Sequence, residues 1–193
     1  MFKEDLKMDI KDTKTAENLR KALAGESIAR NKYTYFAMAA RASGDEEIAA
    51  AFEQMANNEM THAKFWFELL NGKPTDTREC LTQAAMGEYS EWHDMYPGFA
   101  AQARAEGLED IAVMFEKVAA IERGHESRFM TLLAKLSQTA PEQAPAHVQD
   151  EPVPREKKTG YRCQFCGAVF EERPDVCDVC QAIGAFEMAE YYE

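Results

Sequence analysis

The sequence predicts a mainly α protein, a four-helix bundle followed by a small C-terminal metal-binding β-domain. Three observations carry this. Apolar residues recur at helical spacing through residues 1–137. A stretch at 138–160 holds four of the seven prolines and almost no large apolar residue, and reads as an extended linker. Four of the five cysteines fall in residues 161–193, as two Cys-x-x-Cys pairs.

The elements follow in order. Ile48, Phe52, Met55, Trp66 and Leu69 form one apolar seam, and Leu108, Ile111, Phe115, Val118, Phe129, Leu132 and Leu136 form a second. Asn71-Gly72 before Pro74 is a helix stop, and Gly44 and Gly107 mark two more boundaries. Four main helices are expected, at about 14–43, 45–70, 87–106 and 108–137, with a short extra helix within 75–86. A shift of 63 places lays Tyr33 on Tyr96, Phe36 on Phe99, Arg41 on Arg104, Gly44 on Gly107 and Phe52 on Phe115. The body thus reads as two copies of one helix pair.

Composition narrows the function. The 193 residues carry a net charge of −12, which repels phosphates and argues against nucleic-acid binding. No apolar run approaches the ~18 residues of a membrane span. The N-terminal MFKEDLKMDIKDTK is charged throughout, unlike a signal peptide, so a cytoplasmic location is expected. Thiols stay reduced there, which favours metal binding over disulfides for the clustered cysteines.

Polar residues interrupt both seams. Glu59 and His62 occupy core slots of the second helix, and Glu122 and His125 occupy those of the fourth, each pair spaced i, i+3 and related by the same 63-place shift. Glu26 lies on the core stripe of the first helix, and Glu88 and Glu91 on that of the third. Burying one uncompensated carboxylate costs up to ~20 kcal/mol in idealised form, against a net stability of ~5–15 kcal/mol. Five such groups are therefore either mostly protonated or neutralised by cations, and two divalent ions supply four positive charges. Carboxylate oxygen with imidazole nitrogen suits iron or manganese. One Glu from each of two helices plus Glu-x-x-His from each of the other two is the known pattern of di-iron bundles. Glu91 breaks the repeat, standing against Ile28 or Ala29 of the first copy, so the two metal positions are expected to differ. Glu26 with His62 or Glu91 is expected to hold one metal and Glu88 with His125 the other, bridged by Glu59 and Glu122. Tyr33 and Tyr96 read first as core aromatics whose hydroxyls reach the ligand carboxylates. Glu46, Glu47, Glu53, Glu109 and Glu116 fall on solvated faces or helix starts, His93 lies off the ligand face, and Cys80 reads as a core or interface residue.

Cys163, Cys166, Cys177 and Cys180 give a four-thiolate site for iron or zinc. About 34 residues are too few to fold on a core alone, so the metal supplies much of the folding energy. Tyr161, Phe165, Phe170 and Phe186 are expected to pack around it.

Over nearly its full length the chain resembles rubrerythrin. The body motifs are AGESIARNKY around Glu26, NNEMTHAKF around Glu59 and His62, GEYSEWHDMYPGFA around Glu88 and Glu91, and ERGHESRF around Glu122 and His125. The tail resembles rubredoxin in Tyr161, Gly167 and Phe170, and departs from it where Asp178 and Gln181 replace the usual Pro and Gly. The resemblance implies a ferritin-like bundle holding two iron ions and a rubredoxin-like domain holding one iron in the four-cysteine site. It implies an oxidoreductase, a peroxidase reducing hydrogen peroxide to water, with electrons delivered through the tail iron from an NADH-dependent reductase or a rubredoxin. It implies that one iron exchanges Glu91 for His62 between redox states. It further implies a homodimer in which the tail iron of one chain approaches the di-iron site of the other. The short connection at about 71–87 leaves open an exchange of helix pairs between chains. The competing function is a di-iron ferroxidase or iron-binding protein with a zinc-ribbon-like tail.

Overall fold

The computed structural model describes residues 10, 12–139 and 157–192. Most of the expected linker, with His147, lies outside them. The chain divides into two compact units, one ending at Thr75 and the other beginning at Asp76.

The first unit is a helical hairpin of α1 (Lys14–Ala42) and α2 (Glu46–Asn71). Thr13 caps α1, its Oγ1 accepting from the Ala16 N–H at 3.1 Å. Gly44 turns the chain with φ +84°, a conformation that glycine adopts without a Cβ clash. The second unit repeats this design. α3 (Thr77–Ser90), a π-helical segment (Glu91–Met95) and α4 (Tyr96–Ala105) form one uninterrupted helical run, and Gly107 (φ +76°) turns it into α5 (Glu109–Thr139). The short helix expected within 75–86 is therefore the beginning of the third long helix. Asp76 starts it, accepting from the Glu79 N–H at 2.8 Å.

The 63-place repeat is physical. Ala37 and Ala49 are buried in the first unit, as are their counterparts Ala100 and Ala112 in the second. Tyr33 and Phe36 lie 6.2 and 5.5 Å from Phe52, and Tyr96 and Phe99 lie 6.1 and 5.5 Å from Phe115. Arg41 pairs with Glu46 and Glu53, and Arg104 with Glu109 and Glu116. These exposed pairs fix the register of each turn more than they stabilise it.

The two apolar seams were expected to form the core. Instead, alanine fills the helix contacts, while Ile48, Leu69, Leu108, Ile111 and Leu132 are exposed and Phe52, Trp66, Phe115 and Phe129 only half-buried. A layer two helices thick encloses only the small residues between its helices and leaves its broad face open. Cys80 is likewise exposed. Among the described residues no helix is long and apolar enough to cross a membrane.

The tail is a three-stranded antiparallel sheet, β1 (Lys157–Cys163), β2 (Val169–Phe170) and β3 (Phe186–Tyr192), in the order β2-β1-β3. Its core is Cys163, Ala168 and Cys177, flanked by Phe170, Phe186 and Val179. Phe165, expected to pack here, is 73% exposed. Gly160 admits no side chain, since a Cβ there would collide with the Phe170 carbonyl oxygen.

Because alanine sets the helix spacing, Ala49→Leu and Ala112→Leu should each destabilise their unit by ~1–3 kcal/mol through overpacking. Denaturant unfolding followed by circular dichroism measures this; an unchanged midpoint would refute the alanine contact as the spacing element.

Candidate metal centres

Glu59 and His62 lie one turn apart on α2, with Glu26 opposite them on α1. His62 Nδ1 stands 2.8 Å from Glu59 Oε2 and 3.9 Å from Glu26 Oε2. In the second unit His125 Nδ1 stands 2.6 Å from Glu122 Oε2 and 3.8 Å from Glu88 Oε2. Each triad brings two carboxylate oxygens and a ring nitrogen within 4.8 Å of one another. The structure thus brings Glu26, Glu59 and His62 together in one unit and Glu88, Glu122 and His125 in the other.

The charges press for a cation. The Glu88 carboxyl is held above the usual carboxylate range, first by burial, then by its hydrogen bond and charge contact with Glu122, with Glu91 adding to the push and His125 opposing it. The same field reaches Tyr96, whose phenol is raised by burial and then by Glu91, Glu122 and Glu88. A cation held by the three donors relieves the repulsion, and the oxygen and nitrogen set suits iron. Tyr33 packs on Phe52 at a ring separation of 6.2 Å, as Tyr96 packs on Phe115 at 6.1 Å.

Glu91 belongs to neither triad. It opens the π-helical segment, and its carbonyl accepts from the Tyr96 N–H five residues on. The segment absorbs one extra residue: Glu26 and Glu88 are 62 places apart, whereas Tyr33 and Tyr96 are 63. A π-bulge of this kind re-aims the side chains at its start. Two groups missed by the sequence reading hold it. Trp92 Nε1 donates to Glu126 Oε2 at 2.9 Å, and the Arg123 guanidinium lies over the Trp92 ring. Glu126 follows Glu122 by one turn and looks like ordinary surface charge in the sequence. His93 turns aside to Asp94 and the Tyr89 ring, as expected for a residue off the ligand face.

The four tail sulfurs lie within 4.8 Å of one another, with 3.6 Å between Cys163 and Cys180 and between Cys166 and Cys177. Metal–sulfur bonds of ~2.3 Å in a tetrahedron set sulfur separations of roughly 3.8 Å, so the cage fits a metal. These distances are too long for disulfides. The two knuckles match: Cys163 N–H donates to Ala168 and Cys177 N–H to Ala182, both at 2.8 Å. Gln181 takes the place that Gly167 has in the first knuckle, with φ +62° against +80°. Burial alone would push the Cys163 thiol up, but backbone N–H groups of Cys166 and Phe165 outweigh it and bring it to about 7. Burial and crowding push Cys166 and Cys180 the other way.

The family resemblance seats the tail at the site of a second chain. Here it packs on α5 of its own chain, with Ile121 against the cysteine cluster and Lys117 Nζ 2.8 Å from Asp178 Oδ2.

With so small an apolar core, the tail depends on its metal. Cys177→Ser should abolish tail metal binding and unfold β1–β3 while the helical circular dichroism persists. Amide exchange protection of β1 and β3 surviving in this variant would contradict it.

A sequence model of the rubrerythrin family matches residues 17–133 and 79–162. The chain is 37% identical to a rubrerythrin of Porphyromonas gingivalis, over 92% of this chain and 90% of that one. It is 38% identical to rubrerythrin-1 of Clostridium acetobutylicum, over 89% and 91%. It is 35% identical to a rubrerythrin of Nitratidesulfovibrio vulgaris, again over 89% and 91%. With carboxylate–imidazole triads suited to a pair of irons and a thiolate cage suited to a third, the chain belongs to the rubrerythrin family.

Proposed function

We propose that this chain is a cytoplasmic peroxidase that reduces hydrogen peroxide to water: H2O2 with two electrons and two protons gives two H2O. The observation that supports it best is that one unit joins a Glu88–Glu122–His125 triad to a four-cysteine cage through a single helix, α5. When bound, the irons supply the electrons. Glu26, Glu59, His62, Glu88, Glu122 and His125 would hold the pair, and Cys163, Cys166, Cys177 and Cys180 the third. Glu91 and His62 would serve as the two alternative donors, the anionic carboxylate suited to the more positive oxidation state and the neutral imidazole to the less positive one. Tyr96, its phenol held above the ordinary value first by burial and then by the neighbouring carboxylates, retains the proton on its hydroxyl and donates a hydrogen bond toward the ligand carboxylates or the peroxide. Tyr33 is its counterpart in the other copy. Reducing equivalents enter from an NADH-dependent reductase or a rubredoxin.

The working form is a homodimer, its helix pairs either kept within one chain or exchanged between the two. Each unit exposes an apolar face bearing one triad, and a di-iron site needs two. Sedimentation should return the mass of two chains.

Rapid mixing of the fully reduced protein with peroxide, and separately with oxygen, tests the activity. Peroxide should oxidise both the helical site and the tail quickly, and oxygen slowly. A tail that never changes colour would return the protein to a ferroxidase with a zinc-ribbon-like tail. Glu91→Ala should lower peroxide turnover by about tenfold or more while most of the iron stays bound; normal turnover would remove Glu91 from the exchange.

A further inference from the structure

Glu91 stands where the first copy has Ile28 or Ala29, and three further differences between the copies accompany it. Trp92 stands against Ala29 or Arg30, Arg123 against Met60 and Glu126 against Ala63. In the structure these three residues meet. Trp92 Nε1 donates to Glu126 Oε2 at 2.9 Å, and the Arg123 guanidinium carbon lies 5.5 Å from the centre of the Trp92 ring. The Tyr89 ring closes a third side, edge-on at 5.3 Å. An indole offers one N–H and one apolar plate, so a carboxylate at the N–H and a cation over the plate fix both its position and its tilt. The grip comes from a single turn of α5. Glu122 and His125 of that turn belong to the triad, and Arg123 and Glu126, each one residue on, hold Trp92. Glu91 precedes Trp92 and opens the π-helical segment, its carbonyl accepting from the Tyr96 N–H. Its charge reaches both Glu88 and Tyr96. The extra residue of such a segment needs an anchor, because moving it one position along the helix turns the side chain it passes by ~100°.

We infer that Trp92 is a positioning residue, clamped by Glu126 and Arg123 so that the extra residue of the helix stays within 91–95 and Glu91 stays on the side of the Glu88–Glu122–His125 triad. A donor that approaches and leaves a metal needs a carboxylate free to swing on a backbone that does not move. The clamp fixes that backbone to the helix turn that carries two of the triad's donors, so Glu91 keeps its place relative to them. Iron as the target of Glu91 rests on the peroxidase reading; the clamp on the helix does not.

Glu126→Ala removes the acceptor, Trp92→Phe removes the donor, and Glu126→Gln keeps an oxygen that accepts from the indole. Hydrogen exchange of the iron-loaded protein, read by mass spectrometry over residues 91–96, should quicken by about tenfold or more in Glu126→Ala and Trp92→Phe, with protection retained in Glu126→Gln. Unchanged exchange in the first two variants would overturn the clamp. The Mössbauer spectrum of the oxidised protein should shift in Glu126→Ala toward that of Glu91→Ala. A wild-type spectrum in Glu126→Ala would mean that Glu91 keeps its place unaided, and the inference would fall. Peroxide turnover should drop by about tenfold in Glu126→Ala, yet adding Glu126→Ala to Glu91→Ala should lower it no further. An equal loss in both backgrounds would leave Trp92 and Glu126 with a structural role only, against the inference. If exchange and spectrum respond as expected while peroxide oxidises neither centre of the wild type, the clamp stands and the peroxidase reading fails.

Discussion

Carboxylates set beside one another on helix faces govern the rest of this structure. Glu59 and Glu26 converge on His62, and Glu122 and Glu88 on His125, with the Glu88 carboxyl displaced upward by its partly buried, acidic setting. Repulsion of this kind is relieved by protonation or by cations, and a bound cation would turn the same groups into a cross-link between helices. The aromatic contacts at Phe52 and Phe115, the paired arginines and the alanine interfaces are what hold each hairpin so that its donors converge.

The internal repeat gives two equivalent triads, and the π-helical segment breaks that equivalence. One added residue between Glu88 and Tyr96 leaves both ends of the helix in register with the first copy, yet places Glu91 where the first copy has an apolar or small residue. A plain α-helical insertion would have rotated everything beyond it by ~100° and carried Tyr96 and Phe99 off Phe115. The π segment confines the disturbance to five residues, and Trp92 and Arg123 brace it against α5.

Much of this was legible in the sequence because helical spacing and ligand chemistry are local. Glu-x-x-His at i, i+3 puts both side chains on one face whatever lies opposite, and Cys-x-x-Cys closes a knuckle by itself. The glycine turns at Gly44 and Gly107 were equally plain. What the sequence concealed depends on partners distant along the chain. The seams of Ile48 and Ile111 look like a core by period, yet period does not say whether a second layer covers them. The helical run over 77–105 was read as a short helix within 75–86 and a long one at 87–106, where the structure has one continuous run. The contacts of Glu126 with Trp92 and of Asp178 with Lys117 were not legible, since surface acids are common and the partners are 34 and 61 residues away.

Folding and placement of the tail are governed by different forces. Its folding rests on four thiolates and a metal, with Phe170, Phe186 and the alanines filling the space behind them. Its placement rests on weak terms: a partly exposed ion pair, one isoleucine and the absence of a side chain at Gly167. That division suits the proposed role of the tail, the passing of electrons. The cage must then stay rigid through changes of charge, since any rearrangement of its sulfurs would add to the barrier for each electron.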